Sequence, residues 1–512
     1  MELELKKASL DAYEAAGELT LTQEETAETI VPDYCPDIAR IIETTGQVYL
    51  HSRELRDGRG SISGTVRVSV LYTPEGEAGI RTLELNIPFT AEAEGRGLPE
   101  SGILLAETET ELLEARLLNP RKVFTHCRLV TRMAGYRREP LCFTDDAEAG
   151  EELQVEKKLD TQHAVLLTHI GEKDFTFSDQ MSLSSGREGA AELLSHRADA
   201  AVTETKIVGG KLLFKGIFQV DLLYRTADGR CQAASGELPF SQLLELEGAA
   251  EGAEACVLLQ ITGADLQIDG GDEEGREIAV TLYAHAAALV RRSQELTLLS
   301  DLYSTAYDLT YEARPLELTA FHQSLTRRQN VRETLEIGVV AESVLAVTVT
   351  CGAVSVTREG EAAVLRTGAS VRALYLDEGG VPLVAERCVD VSCQLDLPES
   401  CHVAAQAVCR AEVQSSLTDR GIEVRFPVDF QAEAESRVKR VCVSAAKLDT
   451  DAPRETAGAP SLVLRCLGKQ ETAWDLAKRY NTTIGVILAA NQLEAEGDIS
   501  RDQLLLIPRK RA

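Results

Sequence analysis

The chain has 512 residues, 44% of them hydrophobic, and a formal net charge of −29. That is too long for one core, apolar enough to build several, and too acidic for a nucleic-acid backbone, whose ligands take their affinity from clustered Lys and Arg. No run approaches the roughly 18 apolar residues of a membrane span, and the residues after Met1 lack a basic region leading into an apolar one, so the expectation is a protein that stays where it is made.

In chain order, the first signal is Val31 to Ile42, where Pro32 and Pro36 impose an extended entry. Pro36 is expected to open a short helical turn carrying Ile38, Ile41 and Ile42. Thr44 to Leu55 then feeds a hairpin. Its second strand, GTVRVSVLY at Gly64 to Tyr72, is spelled three times, again as GIFQVDLLY at Gly216 to Tyr224 and TGASVRALY at Thr367 to Tyr375. A fixed period of this kind marks internal repeats, here three copies of one unit. Ile42, Leu194 and Leu345 are equivalent by the same offset.

Within each copy one side of the period-2 strand is apolar: Val66, Val68, Val70 and Tyr72, then Phe218, Val220, Leu222 and Tyr224, then Ala369, Val371, Ala373 and Tyr375. The tyrosines are expected to pack in a core. The opposite side, with Thr65, Arg67 and Ser69, Gln219 and Asp221, or Ser370 and Arg372, and ending each time in Leu71, Leu223 or Leu374, is expected to face mostly water. Asp57-Gly58, Gly209-Gly210 and Glu359-Gly360 before the strand, and Glu75-Gly76, Asp228-Gly229 and Glu378-Gly379 after it, are hairpin turn pairs. Pro88-Phe89 and Pro239-Phe240 close the meander in copies one and two, and copy three lacks that pair.

Further along, Glu111 to Leu118 fits either a helix or a buried strand, Val123 to Met133 reads as β, and Phe143 to Glu152 reads as an acidic break. Glu245 to Glu254 and Asp269 to Arg276 read as exposed loops. A second break is expected near Tyr311 to Leu318. Lys447 to Pro460 has two prolines and polar filler and reads as a linker. The division is 1–150, 151–312, 313–446, a linker at 447–460, and a small domain at 461–512, flexibly tethered. The fold class is mainly β, with three tandem sandwich-like units followed by a small α+β (βααβ) domain.

In that last domain Thr472 with Asp475 makes a capping-box start, Ala473, Leu476, Ala477 and Tyr480 form one helical face, and Thr483 opens a second helix carrying Ile484, Ile487, Leu488 and Asn491. Leu504 to Pro508 ends as a strand. The sole tryptophan, Trp474, is assigned first to the domain core, with a partner surface as the alternative. Residues 461–512 hold eight basic against six acidic residues, so nearly all of the negative charge lies on the repeats.

Chemistry is scarce. There is no phosphate-binding glycine loop, no HExxH and no GxSxG. The eight histidines recur at no matching repeat position. The 12 cysteines include no CxxC pair, so they read as reduced, buried small hydrophobes, with neither a structural zinc nor any cofactor expected.

The run Gln470-Glu471-Thr472-Ala473-Trp474-Asp475-Leu476-Ala477-Lys478-Arg479-Tyr480, followed by Asn491 and Ile507-Pro508, resembles the LysM family. It departs from that family's Gly-Asp at Gln470-Glu471, within the loop that holds N-acetylglucosamine. The motifs of the repeats, from Val31-Pro32 through Pro36-Asp37-Ile38 to V-x-x-L-Y and the Pro-Phe pair, are similar to SPOCS domains of spore-forming bacteria. Several SPOCS domains followed by one LysM resembles the SipL-type layout of spore-envelope morphogenetic proteins. That resemblance implies a non-enzymatic adaptor of the mother-cell cytosol, at the forespore surface, docking through LysM on the coat-basement ATPase of the stage IV sporulation protein A type, with other coat proteins as further partners. The alternative it leaves open is a peptidoglycan-binding wall or cortex protein. The partner-binding residues expected are Lys469, Gln470, Glu471, Thr472 and Ala473 in one loop, with Asn491, Gln492 and Leu493 in the other.

Overall fold

A computed structural model describes residues 3–77, 79–94, 98–269, 274–360, 362–409, 413–419, 421–454, 461–468, 471–499 and 503–509. It is mainly β, with antiparallel sheets throughout the repeats and a small helical region at the C-terminus. Among the described residues no helix is long and apolar enough to cross a membrane.

The first copy comprises β1 (Glu4–Leu10), β2 (Tyr13–Ile30), β3 (Ile38–Arg56), β4 (Arg59–Pro74), β5 (Arg81–Glu94), β6 (Ile103–Asn119), β7 (Lys122–Arg138) and β8 (Leu141–Glu148). Strands β3, β4 and β5 make one sheet, β2, β7 and β6 make part of another, and β1 with β8 prolongs the β2–β7 ribbon. The second copy repeats this with β9 (Val155–Ser182), β10 (Ala190–Val208), β11 (Lys211–Thr226), β12 (Cys231–Glu245), β13 (Glu254–Ile268) and β14 (Glu277–Ser304). The third has β15 (Tyr307–Leu335), β16 (Ala341–Cys351), β17 (Ser355–Glu359), β18 (Ala362–Asp377), β19 (Pro382–Asp396), β20 (His402–Val408), β21 (Gln414–Thr418) and β22 (Gly421–Pro453). Its broken strands β16/β17 and β20/β21 each line one side of a continuous neighbour, β18 and β22 respectively.

In each copy the two sheets face each other across a core. All twelve apolar-face residues of the repeated strand are buried, Val66 to Tyr72 against Val123, Cys127 and Leu129, with matching clusters in copies two and three. The repeated tyrosines are core residues, and in the first two copies the hydroxyl also ties down the preceding loop: Tyr224 Oη donates to Glu188 O at 3.1 Å and Tyr72 Oη to Pro36 O at 3.5 Å. Five of the six turn pairs carry the positive φ their chemistry allows, at Asp57, Gly58, Gly76, Gly209, Gly210, Gly229 and Gly360, whereas at Glu378-Gly379 the turn is displaced by one residue and Gly380 takes it.

The opposite face does not go mostly to water. The three hairpin sheets close on one another, β5 meeting β10, β12 meeting β16, and β19 returning to β3. Leu71, Leu223 and Leu374 are 1%, 3% and 1% exposed and share one cluster with Leu194, Leu345 and the half-buried Ile42. β-Bulges at equivalent positions, between Ile41 and Glu43, Leu193 and Ser195, and Val344 and Ala346, skip Ile42, Leu194 and Leu345 in the ladder. Bulges re-aim side chains, and here the three skipped residues join the shared centre. At the other end the ribbons β1–β8, β9–β14 and β15–β22 pack together through Phe143, Leu166, Leu298, Leu316, Leu318 and Cys442.

Several expectations are corrected. Pro36 opens no helical turn; Ile38 begins β3, whose pairing with β4 holds it extended. Glu111 to Leu118 is strand, within β6. Most of the supposed break at 143–152 is β8, and Tyr311 to Leu318 lies inside β15, so the 312/313 division cuts a continuous strand. The first half of the supposed linker is strand as well. Lys447, Leu448 and Asp449 pair with Thr310, Leu309 and Asp308, because a ladder satisfies backbone groups whatever the polarity of the side chains. Residues 455–460 lie outside the described residues, as do 270–273 of the expected loop at 269–276.

Candidate binding site

The C-terminal unit is built from β23 (Leu462–Arg465), α1 (Ala473–Arg479), α2 (Ile484–Asn491) and β24 (Leu505–Pro508), with β23 and β24 paired antiparallel. The Thr472 hydroxyl accepts from Asp475 N at 3.3 Å, and the Asp475 carboxylate accepts from Thr472 N at 2.8 Å, completing the capping box. Thr483 caps α2 by accepting from Val486 N at 3.2 Å. Leu476, Ala477, Ile487, Leu505 and Ile507 form the core, joined by Trp474, which is 6% exposed.

Most of the expected loop residues are occupied within the unit. Glu471 pairs with Arg465 at 3.1 Å and Arg479 at 2.7 Å and accepts from Gly468 N at 3.2 Å. Thr472 is committed to its cap, and Ala473 is 4% exposed. Asn491 laces α2 to β24, donating to Ile487 O and Leu506 O, both at 2.7 Å, and accepting from Leu506 N at 2.8 Å. Gln492 is exposed in a left-handed C-cap conformation with φ 57°. Leu493 is half-buried against the same core as Leu467, which relates the two loops through that core. Lys469 and Gln470 lie outside the described residues.

The unit is also held by the repeats, through residues the sequence reading did not single out. The Asp301 carboxylate, near the end of β14, accepts from Trp474 Nε1 at 2.8 Å and from Lys478 Nζ at 2.5 Å. Tyr303 packs edge-on against Trp474 with centroids 5.0 Å apart and donates its hydroxyl to Thr482 O at 2.7 Å. Tyr311 accepts from Lys478 at 3.3 Å and lies beneath its ammonium, and the Arg454 guanidinium reaches the Asn481 side chain. Burial works against the charge on Lys478, but the bonds to Asp301 and Tyr311 outweigh it and hold its pKa above the usual value. Burial drives the Tyr303 hydroxyl well above its ordinary range. Trp474 therefore serves both the unit's own core and its seat on the second copy. A lone aspartate in the run LTLLSDLY was the available signal.

Among the described residues no three or more His, Cys, Asp or Glu side chains are grouped so as to hold a metal ion. The geometry is that of a small folded unit fixed to a β body.

Comparison with known proteins finds two stretches, 37–117 and 190–269, matching the family described as SipL, SPOCS domain. They fall in the first and second copies and span the hairpin sheet and the strand after it in each. Over 117 residues, 22% of this chain, there is 29% identity to the RNA1 polyprotein of Red clover mottle virus, of which the chain spans 6%.

Proposed function

We propose that this chain is a non-enzymatic adaptor in assembly of the bacterial spore envelope, with the closed β body as scaffold and the C-terminal LysM-like unit as the element that docks on a coat-basement ATPase of the stage IV sporulation protein A type. The observation that carries the reading is the SPOCS match in two copies. It is supported by the βααβ order of the C-terminal unit and by Glu471, whose carboxylate is spent on Arg465 and Arg479 and so is withdrawn from any saccharide. Lys469, Gln470, Gln492 and Leu493 remain the residues offered to the partner.

Capture of the purified ATPase by the immobilised full chain tests this. Lys469→Glu combined with Gln492→Arg should abolish capture while circular dichroism stays unchanged. Undiminished capture removes the loops from the interface. Sedimentation of the full chain with purified peptidoglycan, without capture of the ATPase, replaces this reading with the wall-binding one.

A further inference from the structure

Glu43 is a buried carboxyl that the fold does not require. It lies on β3 opposite Leu71 and is 9% exposed. The residues in the same ladder position of the other copies, opposite Leu223 and Leu374, are Ser195 and Ala346. Two of three copies thus build the same bulged strand without a charge there. Burying a carboxylate without a partner costs free energy that packing cannot return.

The side chain lines a cleft of about 730 Å³ where the first copy meets the third. Ile41, Leu113 and Val384 supply aliphatic walls, and Phe124 lies beneath the Arg116 guanidinium, 4.6 Å from the ring centroid. The nearby cation, Arg372, is already engaged: it donates to Glu386 at 2.9 Å and to Thr44 O at 3.5 Å. It acts on Glu43 only through space. Burial pushes the Glu43 carboxyl up, Arg372 partly opposes this, and Glu386 adds to it. No hydrogen bond to the Glu43 carboxyl is formed among the described residues. Buried, poorly compensated carboxyls in clefts mark functional sites, and the volume lies within the roughly 300–1,000 Å³ of small-ligand pockets.

We infer that this cleft binds an alkylammonium group, its chain lying along the aliphatic walls and its cation on Glu43. The chemistry is shared by a lysine side chain of a partner protein and by a free polyamine. It is independent of the C-terminal unit and of the adaptor reading.

Isothermal titration of the full chain at about 0.15 M salt, where exposed charges are screened beyond about 8 Å, tests it with two probes, spermidine and acetyl-Ala-Lys-Ala-amide. Saturable one-to-one binding of at least one probe is expected, weakened about tenfold or more in Glu43→Gln and Glu43→Ala, the scale of a lost charge-assisted hydrogen bond. Binding of the peptide alone assigns the site to a partner's lysine, and of spermidine alone to a polyamine. Binding by neither probe, or equal binding by wild type and variants, overturns the proposal. Thermal unfolding without ligand gives a second reading: Glu43→Ala should melt no lower than wild type, as Ala346 already serves the third copy. A clear drop would mean that Glu43 is a structural partner of Arg372, and would overturn the proposal as well.

Discussion

Asp301→Ala should release the C-terminal unit from the body without unfolding either. The carboxylate accepts one bond from the Trp474 indole and one from the Lys478 ammonium, at 2.8 and 2.5 Å. Its side chain is 19% exposed and that of Lys478 is 34%, so the pair is partly screened and the lower end of the range for charged hydrogen bonds applies. Two such bonds at about 1.5 kcal/mol each give about 3 kcal/mol, roughly a hundredfold fall in the ratio of docked to undocked unit. Trp474 is the chain's sole tryptophan, so fluorescence reports on this seat alone. Loss of Asp301 and separation from Tyr303 should move its emission to longer wavelength and raise its access to iodide, while circular dichroism is retained. Amide exchange should quicken in residues 473–482 and at the end of β14, and not around Leu71, Leu223 and Leu374. Emission, quenching and exchange all identical to wild type would refute the reasoning and leave the Trp474 environment to the unit's own core.

Gly64→Ala should destabilise the first copy by about 2 kcal/mol or more, the scale of overpacking a filled site, because an added Cβ would lie 2.6 Å from Tyr49 O and 2.7 Å from Phe89 Cζ. Denaturant titration measures the loss, and the double variant with Phe89→Val should recover part of it, since the third copy pairs Thr367 with Val391 at the same place; no recovery would contradict the account. Burial pushes the thiols of Cys127, Cys256 and Cys351 up to about 11, so at pH 8 only about 0.1% of each is thiolate and reactive. Ellman's reagent should modify the exposed Cys142, Cys388 and Cys466 first, and early reaction at Cys127 would show that the first core opens readily.

The copies, their buried faces, the hairpin turns and both helix caps were legible because each is written in local chemistry: period-2 apolar positions, glycines where φ is positive, and Thr at the caps. Glu111 to Leu118 stayed ambiguous because ELLEARLL satisfies a helical stripe and a half-buried strand alike. Lys447 to Pro453 misled because polar residues suit an edge ribbon as well as a linker, and the ladder partner, Tyr307 to Thr310, is over 130 residues away in sequence. Leu71, Leu223 and Leu374 stand alone among polar neighbours, and their burial exists only once all three copies meet. The absence of Pro-Phe in the third copy reads as divergence in the sequence. In the structure it follows from the cross-strand partner: Phe89 and Phe240 cover Gly64 and Gly216, whereas Thr367 carries its own side chain and takes Val391. Of the expected loop site, the types of Glu471, Thr472 and Asn491 suggested contacts that the unit uses internally.

Closure stiffens the β body. A chain of tandem units joined end to end can bend at each junction, but here β19 returns to β3, so the first and third copies hold each other as well as the second. Opening any one junction of the hairpin sheets disturbs the centre shared by all three, where Leu71, Leu194, Leu223, Leu345 and Leu374 are packed together. The ribbons repeat this constraint at the opposite end through Phe143, Leu298 and Cys442. The C-terminal unit sits on that ribbon end, since Asp301, Tyr303 and Tyr311 belong to the distal parts of β14 and β15. Force or binding at the unit is therefore delivered to a bundle of three ribbons rather than to one sandwich. The ring at the far end is left with its own interfaces, including the cleft beside Glu43, unobstructed by the unit.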